Sequence, residues 1–411
     1  MYRLLLVVLV WALPAVALAQ TTAIRAGRVV DVEAGTSLTN QILLVEGGRI
    51  TAMGPAVAIP AGATVVDLSS HTVLPGLFDA HTHLCMVVQP TRDAGRYYYT
   101  TLNDPDSMRA VQGVVNARTV LESGFTTVRD VGNEGNYACS SVRQAIEQRI
   151  IPGPTMINAG RIIAPYGGQF HLQPDKRALG EPEYFYADTR DEMVKAIREN
   201  IHYGAGVIKI VVDDQRYIYS VDDIRFMIAE AGRAGLKLAA HAWTHNGAHN
   251  AAEAGVASIE HGFTMTDEDL ELAKRRDVAL VGTEFLALDS SAEDRAKWID
   301  RLKRANRIGV TLVYGTDVIA AVEGRTRGAL TASGVDPWIE AGVPNARILQ
   351  AMTINAARLL GVDKDRGALR VGMAADIIAT PANPLQDAAT LKSVAFVMKD
   401  GVVVKPLAGN R

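Results

Sequence analysis

The sequence predicts an α/β protein, in which a (β/α)8 TIM barrel carries a small β-sandwich domain formed from both termini. Short β-like runs separated by glycine turns occupy the two ends of the chain, which indicates a β-rich module. In the long middle part, eight apolar β-like runs alternate with helical stretches, a pattern typical of βα units and a parallel sheet. Eight such units close a barrel, whose active site lies at the carboxyl ends of the strands.

The composition limits the class of protein and of partner. With 411 residues, of which 48% are hydrophobic, the chain can bury the core of one large barrel and an accessory module. The formal net charge is only −3, and no long basic run is present. This charge balance argues against nucleic acid or an anionic membrane surface as the main partner. We therefore expect a small-molecule substrate.

The first 19 residues predict a secretory signal peptide. Arg3 precedes an apolar stretch at residues 4–13, and Pro14 and an Ala-Leu-Ala sequence ending at Ala19 supply the cleavage pattern. We expect cleavage after Ala19, which would leave a periplasmic or secreted protein with no membrane attachment. An uncleaved anchor is the alternative, but the apolar stretch is short for a membrane span of roughly 20 residues.

The predicted sandwich is split between residues 20–73 and residues 363–411, and the barrel occupies residues 74–362. Both parts of the sandwich contain hairpin-like glycine turns, for example at Gly47-Gly48. Two β-rich ends that flank a long middle part predict one small sandwich built from both termini.

The eight predicted barrel strands are short apolar runs. In chain order they read GLFDAHTHL, FTTVRDVG, TMINAGRII, VIKIVV, LKLAAHAW, ASIEHG, VALVGTEF and VTLVYGTD. Several helical stretches between and after them end at glycine, and Ser220 and Asn345 stand where helix N-caps are expected.

Two histidines at the end of the first predicted strand form a candidate metal pair. His81 and His83 are two residues apart, and side chains at positions i and i+2 of a strand point to the same face. Neutral imidazoles are the commonest protein ligands for catalytic divalent metals such as Zn²⁺. A His-x-His pair can equally be a plain polar pair, so the metal interpretation depends on ligands from other strands.

Four further ionisable residues lie in or at the ends of other predicted strands, namely Lys209, His241, His261 and Asp317. A charged lysine has no lone pair and cannot bind a metal. Because isoleucines flank Lys209, burial should lower its pKa and expose a neutral amine to CO₂. The product, an N6-carboxylated lysine, would be an anion able to bridge two metals. The alternative is a buried ammonium group paired with an aspartate such as Asp213 or Asp317.

These motifs resemble those of the metal-dependent amidohydrolase superfamily, and most closely its exported branch of prolidase-like and ochratoxinase-like enzymes. The resemblance rests on PGLFDAHTHL, TTVRDVG, VIKIVV, KLAAHA, IEHG, YGTD and the closing segments NAARLLG and GALRVGMAADIIA. It covers nearly everything after the predicted signal peptide.

The resemblance implies a binuclear centre of two divalent ions, with zinc as the expected metal. Its ligands would be His81, His83 and Asp317 for the first ion, His241 and His261 for the second, and carboxylated Lys209 and a hydroxide as bridges. The implied reaction is hydrolysis of an amide or peptide bond in a dipeptide or an N-acyl amino acid, a dipeptidase or carboxypeptidase activity, by the metal-bridging hydroxide. Asp317 would also be the catalytic general acid and base. Related enzymes are often homo-oligomers, and we expect the same of this chain.

Four residues on loops above the predicted barrel are candidates for substrate contact. His171 could polarise the scissile carbonyl, which would make it catalytic, or bind a carboxylate; the alternative is a plain loop histidine. Tyr217, with Arg216 beside it, matches a tyrosine that contacts the substrate carboxylate in the resembling enzymes, although it could also simply pack over the rim. Trp243 stands where those enzymes often have a second histidine, and we assign it to the substrate pocket.

Other activities remain open from the sequence. A cyclic amide or lactone hydrolase of the same superfamily would use the same ligands. A mononuclear deaminase would share the His-x-His pair and the final aspartate, but such enzymes generally lack Lys209 and carry a glutamate where this chain has Thr244. A noncatalytic exported binding protein is least favoured, because all six ligands are present.

Two remaining pairs of residues are expected to lie outside the site chemistry. His245 and His249 are spaced as neighbours on one helix face, and we expect them to be exposed. Cys85 and Cys139 are the only cysteines, and we expect two unpaired thiols, although export would permit one disulfide.

Overall fold

The computed structural model of the protein describes residues 21–132 and 135–408. The predicted signal peptide at residues 1–19 lies outside the described residues. Among the described residues, no helix is both long and apolar enough to cross a membrane.

Strands and α-helices are numbered in chain order. The strands are β1 (Thr22–Asp31), β2 (Thr36–Glu46), β3 (Arg49–Gly54), β4 (Thr64–Pro75), β5 (Leu77–Thr82), β6 (Phe125–Asp130), β7 (Thr155–Asn158), β8 (Ile162–Ala164), β9 (Tyr184–Tyr186), β10 (Ile208–Val211), β11 (Leu238–Ala242), β12 (Ser258–His261), β13 (Ala279–Val281), β14 (Leu312–Val313), β15 (Ile377–Thr380), β16 (Phe396–Lys399) and β17 (Val402–Lys405). The helices are α1 (Thr100–Asn103), α2 (Asp106–Glu122), α3 (Ala138–Glu147), α4 (Arg190–His202), α5 (Val221–Gly232), α6 (His245–Ala254), α7 (Asp267–Arg275), α8 (Ala292–Ile308), α9 (Arg327–Ser333), α10 (Asp336–Glu340), α11 (Asn345–Ala351) and α12 (Ile354–Leu360).

The two ends of the chain build one module, as predicted. Its strands form a single seven-stranded sheet in the order β17-β16-β15-β4-β1-β2-β3. The sheet curls, because Arg49 in β3 forms a bridge with Ala374, which lies just before β15, and the Ile50 amide donates to Met373 O at 3.0 Å. The concave side encloses its own apolar core, to which β1, β2, β4, β15 and β16 all contribute.

The middle of the chain is the predicted eight-stranded parallel barrel. β5, β6 and β7 pair in parallel, and so do β8, β10, β11, β12, β13 and β14. The third barrel strand is therefore interrupted, with β7 and β8 as its two halves. The barrel closes between its first and last strands, where the amides of Ala80 and Asp317 donate to Tyr314 O and His81 O, each at 2.9 Å.

The barrel strands form where both faces are buried. Every residue of β5, β6, β10, β11 and β12 is buried, as expected for parallel strands covered by helices.

Ser220 caps α5 in a capping box with Asp223, which confirms its predicted role. The predicted cap at Asn345 is wrong by one position, because Asn345 is the first residue of α11 and Pro344 precedes it as the cap.

The two histidines of α6 lie on its surface, as expected. The side chains of His245 and His249 are 49% and 51% exposed, and the Nδ1 atoms of both lie within hydrogen-bonding distance of the buried Asp269 carboxylate, at 2.6 and 3.1 Å. This carboxylate also accepts from Thr266 at the start of α7, so the pair ties two neighbouring helices together.

The expectation of two unpaired thiols is wrong, because Cys85 and Cys139 form a disulfide. Cys85 follows β5 and Cys139 begins α3 after β6, and these two strands are parallel neighbours. The residues just beyond them therefore meet at the same end of the barrel, with a Cα–Cα distance of 5.6 Å that suits a disulfide. Sequence separation alone could not show this proximity.

Removing this disulfide is expected to lower stability strongly. It closes a loop of 54 residues, and the lost chain entropy of the unfolded state corresponds to about 4 kcal/mol for a loop of that size. The double variant Cys85→Ala/Cys139→Ala should unfold at clearly lower denaturant concentration than the oxidised wild type. The reduced wild type is the matched control and should follow the variant. Equal unfolding midpoints for the oxidised wild type and the variant would contradict a stabilising disulfide.

Candidate metal centre

The barrel brings all six predicted metal ligands together, with Lys209 inside β10 and the other five at or near the carboxyl ends of their strands. The imidazole of His81 lies 5.3 Å from that of His83 and 5.0 Å from that of His261, and His261 lies 4.6 Å from His241, all measured between ring centroids. Asp317 Oδ1 lies 3.2 Å from His83 Nε2. Lys209 is buried in the same group, close enough for its charge to act on His81 and Asp317.

Three of the histidines have their Nδ1 atoms engaged by neighbouring groups. His81 Nδ1 contacts the Glu260 carboxylate at 2.7 Å, His83 Nδ1 contacts the carbonyl oxygen of Gly132 at 2.6 Å, and His261 Nδ1 contacts Thr283 Oγ1 at 2.9 Å. Ligating histidines are held in this way, because a partner on one nitrogen fixes the ring and leaves the other nitrogen for the metal.

These contacts leave the Nε2 atoms of His81 and His83 facing the middle of the cluster. The Nε2 atoms of His81 and His83 lie 3.8 and 3.2 Å from Asp317 Oδ1. The Nε2 atom of His241 is buried and has no hydrogen-bond partner among the described residues. It does lie 2.9 Å from Asp214 Oδ2, but this contact lacks the directionality of a hydrogen bond.

Burial favours the neutral form of two imidazoles of the cluster, those of His81 and His261. Burial and the positive charge of Lys209 lower the pKa of His81 to about 4. Burial and the neighbouring imidazoles hold the pKa of His261 well below its usual value. Since a histidine ligates a metal in its neutral form, both rings are ready to bind an ion at neutral pH.

The pKa values of Asp317, Glu260 and Lys209 are all lowered. Burial opposes ionisation of Asp317, but the charges and hydrogen bonds of His81 and His83 outweigh it and lower the pKa of its carboxyl. The pKa of Glu260 is also lowered, because Arg129 and His81 outweigh the effect of burial. Burial lowers the pKa of Lys209 to about 8, so a useful fraction of this amine is uncharged near neutral pH.

Several residues around the cluster have a left-handed backbone. The φ angles are 58° at Asp317, 69° at His261, 53° at Thr283, 92° at Asp214 and 46° at His171. Such conformations cost energy in residues other than glycine, and they concentrate at functional sites. At Asp317, the strain is held by the hydrogen bond from its amide to His81 O in the neighbouring strand.

The donor set fits a divalent metal. It combines neutral imidazole nitrogens with ionised carboxylate oxygens, which are zinc ligands. His81, His261 and Asp317 form one compact group of ligand atoms, and Asp213, Asp214 and His241 form another. The buried and unpartnered Nε2 of His241 is the atom that most needs a ligand, because an unsatisfied buried polar group is costly.

The four predicted substrate residues occupy different places. Trp243 lies against the cluster, with its ring 6.1 Å from that of His241. His171 is exposed beside the cluster, and its charge acts on Asp214. Tyr217 is 53% exposed, its ring contacts Tyr219, and the adjacent Arg216 is exposed as well. The structure therefore brings Trp243 and His171 to the site and gives Tyr217 and Arg216 an exposed position on the rim.

An aromatic wall, formed by Trp243, Phe263 and Trp298, extends from the cluster. The Trp243 ring meets Phe263 edge-on at 4.9 Å, and Phe263 stacks on Trp298 at 4.6 Å. Phe263 also lies 5.6 Å from His261. Tyr97 does not belong to this wall. Its hydroxyl donates to Gln169 O at 2.9 Å, and burial raises its pKa.

Sequence reasoning missed the residues that support the ligands. Glu260 immediately precedes His261, but alternation along a strand directs their side chains to opposite faces, so nothing in the sequence shows that Glu260 supports His81. Asp214 lies three residues beyond the end of β10 and could have been found by its position. The aromatic wall joins residues of three different elements, and only tertiary packing reveals it.

The chain is similar to several known proteins in sequence and in structure. The Amidohydrolase family matches residues 72–406. Ochratoxinase from Aspergillus niger is 28% identical over 438 aligned positions, which cover 94% of this chain and 87% of that protein. An imidazolonepropionase from Symbiobacterium thermophilum is 26% identical and covers 90% of this chain and 89% of its own length. The crystal structure of a Xaa-Pro dipeptidase with methionine bound in its active site is 27% identical, with a TM-score of 0.82, and covers 93% of this chain and 99% of that one.

Proposed function

Because the chain belongs to the amidohydrolase family and is a hydrolase acting on amide bonds, similar to ochratoxinase and to a Xaa-Pro dipeptidase, we propose that it is a binuclear zinc enzyme. Its substrate is a dipeptide or an N-acyl amino acid, from which it releases an amino acid. The observation that carries this proposal is the convergence of imidazole Nε2 atoms on the Asp317 carboxylate.

Each ligand has a defined place in the proposed centre. His81, His83 and Asp317 would hold one ion, and His241 and His261 would hold the other. When bound, two divalent ions lower the pKa of a coordinated water and polarise the substrate carbonyl. The donor atoms required for this are supported by the hydrogen bonds on the Nδ1 atoms of His81, His83 and His261.

Asp317 moves the proton in the proposed reaction. Its lowered pKa keeps the carboxylate ionised, so it can accept a proton from the attacking water as the new C–O bond forms. It then donates this proton to the amide nitrogen as the C–N bond breaks, which lets the amine leave as a neutral group. One carboxylate thus serves first as general base and then as general acid.

Lys209 completes the centre as a carboxylated side chain. Its neutral amine attacks CO₂ and releases one proton, which leaves an anionic carbamate on Nζ. The pKa of about 8 supports this step, because enough free amine is present near neutral pH. We expect protein prepared with ¹³C-bicarbonate to show a carbamate signal in its ¹³C NMR spectrum. The signal should be absent from Lys209→Met, and a wild-type spectrum without it would contradict carboxylation.

A screen of candidate substrates tests the proposed hydrolysis of amide bonds. Zinc-loaded protein should hydrolyse at least one member of a panel of Xaa-Pro and other dipeptides and N-acyl amino acids, with release of the free amino acid. Cyclic amides and lactones form the second arm of the panel. Turnover in the second arm alone would overturn the proposed substrate class and favour a cyclic amide or lactone hydrolase.

The aromatic wall is proposed to bind the apolar side of the substrate. Trp243 is 42% exposed and borders the imidazoles of His241 and His261, so a flat apolar group bound there would cover it. Such burial is worth about 1.5–3 kcal/mol. We therefore expect Trp243→Ala to raise KM for substrates with an aromatic side chain by about 10- to 100-fold.

Substrates with an alanine side chain provide the matched control for that variant. Their KM should change much less, because they have little surface to place against the wall. Trp243→Phe should restore most of the binding of aromatic substrates. An equal rise in KM for both substrate types would show that Trp243 shapes the centre and not the preference for side chains.

Export is part of the proposal. The predicted signal peptide requires it, and the Cys85–Cys139 disulfide supports it, because disulfides persist mainly in oxidising compartments. A secreted or periplasmic protein whose amino terminus follows Ala19 is the expected mature form, and amino-terminal sequencing of the exported protein tests it.

A further inference from the structure

The carboxylate of Asp214 points at the metal-facing nitrogen of His241. Asp214 Oδ2 lies 2.9 Å from His241 Nε2. The histidine side chain is only 4% exposed, and the same Nε2 atom has no hydrogen-bond partner among the described residues. A short contact without hydrogen-bond geometry, at a buried nitrogen, suits two ligand atoms of one ion.

The separation of the two atoms fits a shared ion. Ligand atoms bound to one zinc ion at about 2.0–2.2 Å lie about 2.8–3.6 Å apart when the angle between them is about 90–110°, and the 2.9 Å between His241 Nε2 and Asp214 Oδ2 falls within this range. His83 Nε2 and Asp317 Oδ1, which are assigned to the other ion, lie 3.2 Å apart. The His241–Asp214 pair therefore repeats the imidazole–carboxylate arrangement of the first ion. We propose that Asp214 is a further metal ligand, bound to the ion that His241 holds.

The neighbouring carboxylate has a different role. Both oxygens of Asp213 accept hydrogen bonds from the loop after β11, among them the Trp243 amide at 2.9 Å and the Thr244 hydroxyl at 2.6 Å. Asp213 is also farther from the metal-facing nitrogen, with its Oδ1 at 3.9 Å from His241 Nε2. It fixes the loop that follows the ligand, whereas Asp214 faces the ligand itself.

Gln169 holds Asp214 in place. Its amide Nε2 donates to Asp214 Oδ2 at 2.7 Å, and the loop that carries it also carries His171. Ligating carboxylates are commonly oriented by such a hydrogen bond. Asp214 also improves the charge balance, because the ligands proposed so far include just two protein anions, Asp317 and the carbamate.

This inference rests on the proposed metal centre, and metal binding tests it without any substrate. Wild type, Asp214→Asn and Asp213→Asn are loaded with zinc and dialysed against a graded series of a competing chelator, and zinc is measured by mass spectrometry. Wild type should hold about two equivalents, as a two-metal site requires. Asp214→Asn should lose one equivalent at a chelator concentration at least about 10-fold lower.

The controls separate a ligand from a structural residue. Asparagine tolerates the left-handed backbone at position 214, and Asp214→Gly provides a second variant that also suits it and should lose the same equivalent. Asp213→Asn should keep the zinc affinity of the wild type while its unfolding temperature falls. The visible spectrum of the cobalt-substituted protein should change in Asp214→Asn and remain the same in Asp213→Asn.

Two results would overturn the inference. One is an Asp214→Asn protein that retains both equivalents with an unchanged cobalt spectrum. The other is unchanged metal binding together with a raised KM only for dipeptides that carry a free amino group, which would make Asp214 a substrate-binding residue. Failure of the whole substrate panel would contradict the proposed activity but would leave these metal measurements valid.

Discussion

Replacing Asp317 with asparagine is expected to lower kcat by about 10²- to 10⁴-fold, the usual contribution of a general acid and base. Asparagine keeps the size of the side chain, tolerates the φ of 58° at this position, and still offers an oxygen toward His83. It cannot carry a proton between the water and the leaving amine. The variant should therefore keep part of its metal while its turnover falls by that factor.

The measurement is turnover per bound metal, determined on the same sample by kinetics and zinc analysis. A variant that loses activity only in proportion to its lost metal would make Asp317 a ligand without a role in proton transfer. Near wild-type turnover would refute both roles. His171→Ala is the useful comparison, because this residue is exposed beside the cluster and should change substrate binding more than proton transfer.

The fold and the positions of the ligands could both be predicted from the sequence, and for the same reason. In a parallel barrel, chain order and spatial order agree, so a residue that ends a strand necessarily lies on the catalytic face. His241 is the next-to-last residue of β11, and His261 is the last residue of β12. Reading the strands therefore placed the ligands without any knowledge of side-chain contacts.

The remaining features depend on contacts that chain order does not encode. The Cys85–Cys139 disulfide arises because the turn after β5 meets the first turn of α3, which follows the neighbouring strand β6, and composition alone could not show this contact. Glu260 faces His81 across the barrel, although 179 positions separate them. The exposed positions of Tyr217 and Arg216 likewise follow from the path of the loop after β10, which periodicity cannot predict.

One buried carboxylate connects the stability of the barrel to the metal centre. Glu260 accepts hydrogen bonds from Arg129 Nη2 at 2.7 Å and from Ser258 Oγ at 2.5 Å, and its other oxygen contacts His81 Nδ1 at 2.7 Å. Glu260 and Arg129 are both buried. The Arg129 guanidinium also donates to Ala80 O at 2.6 Å in the first barrel strand. This network thus joins three strands and orients a metal ligand at the same time.

Glu260→Gln is expected to lower the free energy of unfolding by about 3–5 kcal/mol, because it leaves the Arg129 guanidinium buried without a counter-charge. It should also weaken metal binding about 10- to 100-fold, since His81 loses the anion that orients its ring. Chemical denaturation of the metal-free protein measures the first effect, and chelator competition measures the second.

A double variant tests whether the charge pair itself stabilises the fold. Replacing both partners, as in Arg129→Met/Glu260→Leu, removes the unpaired charge along with the pair, so its unfolding free energy should exceed that of Glu260→Gln. Metal affinity should remain low in the double variant, because no acceptor is left for His81 Nδ1. Recovery of both stability and metal affinity would show that Glu260 serves only to neutralise Arg129. Recovery of stability alone would establish that this carboxylate is retained for the orientation of the ligand.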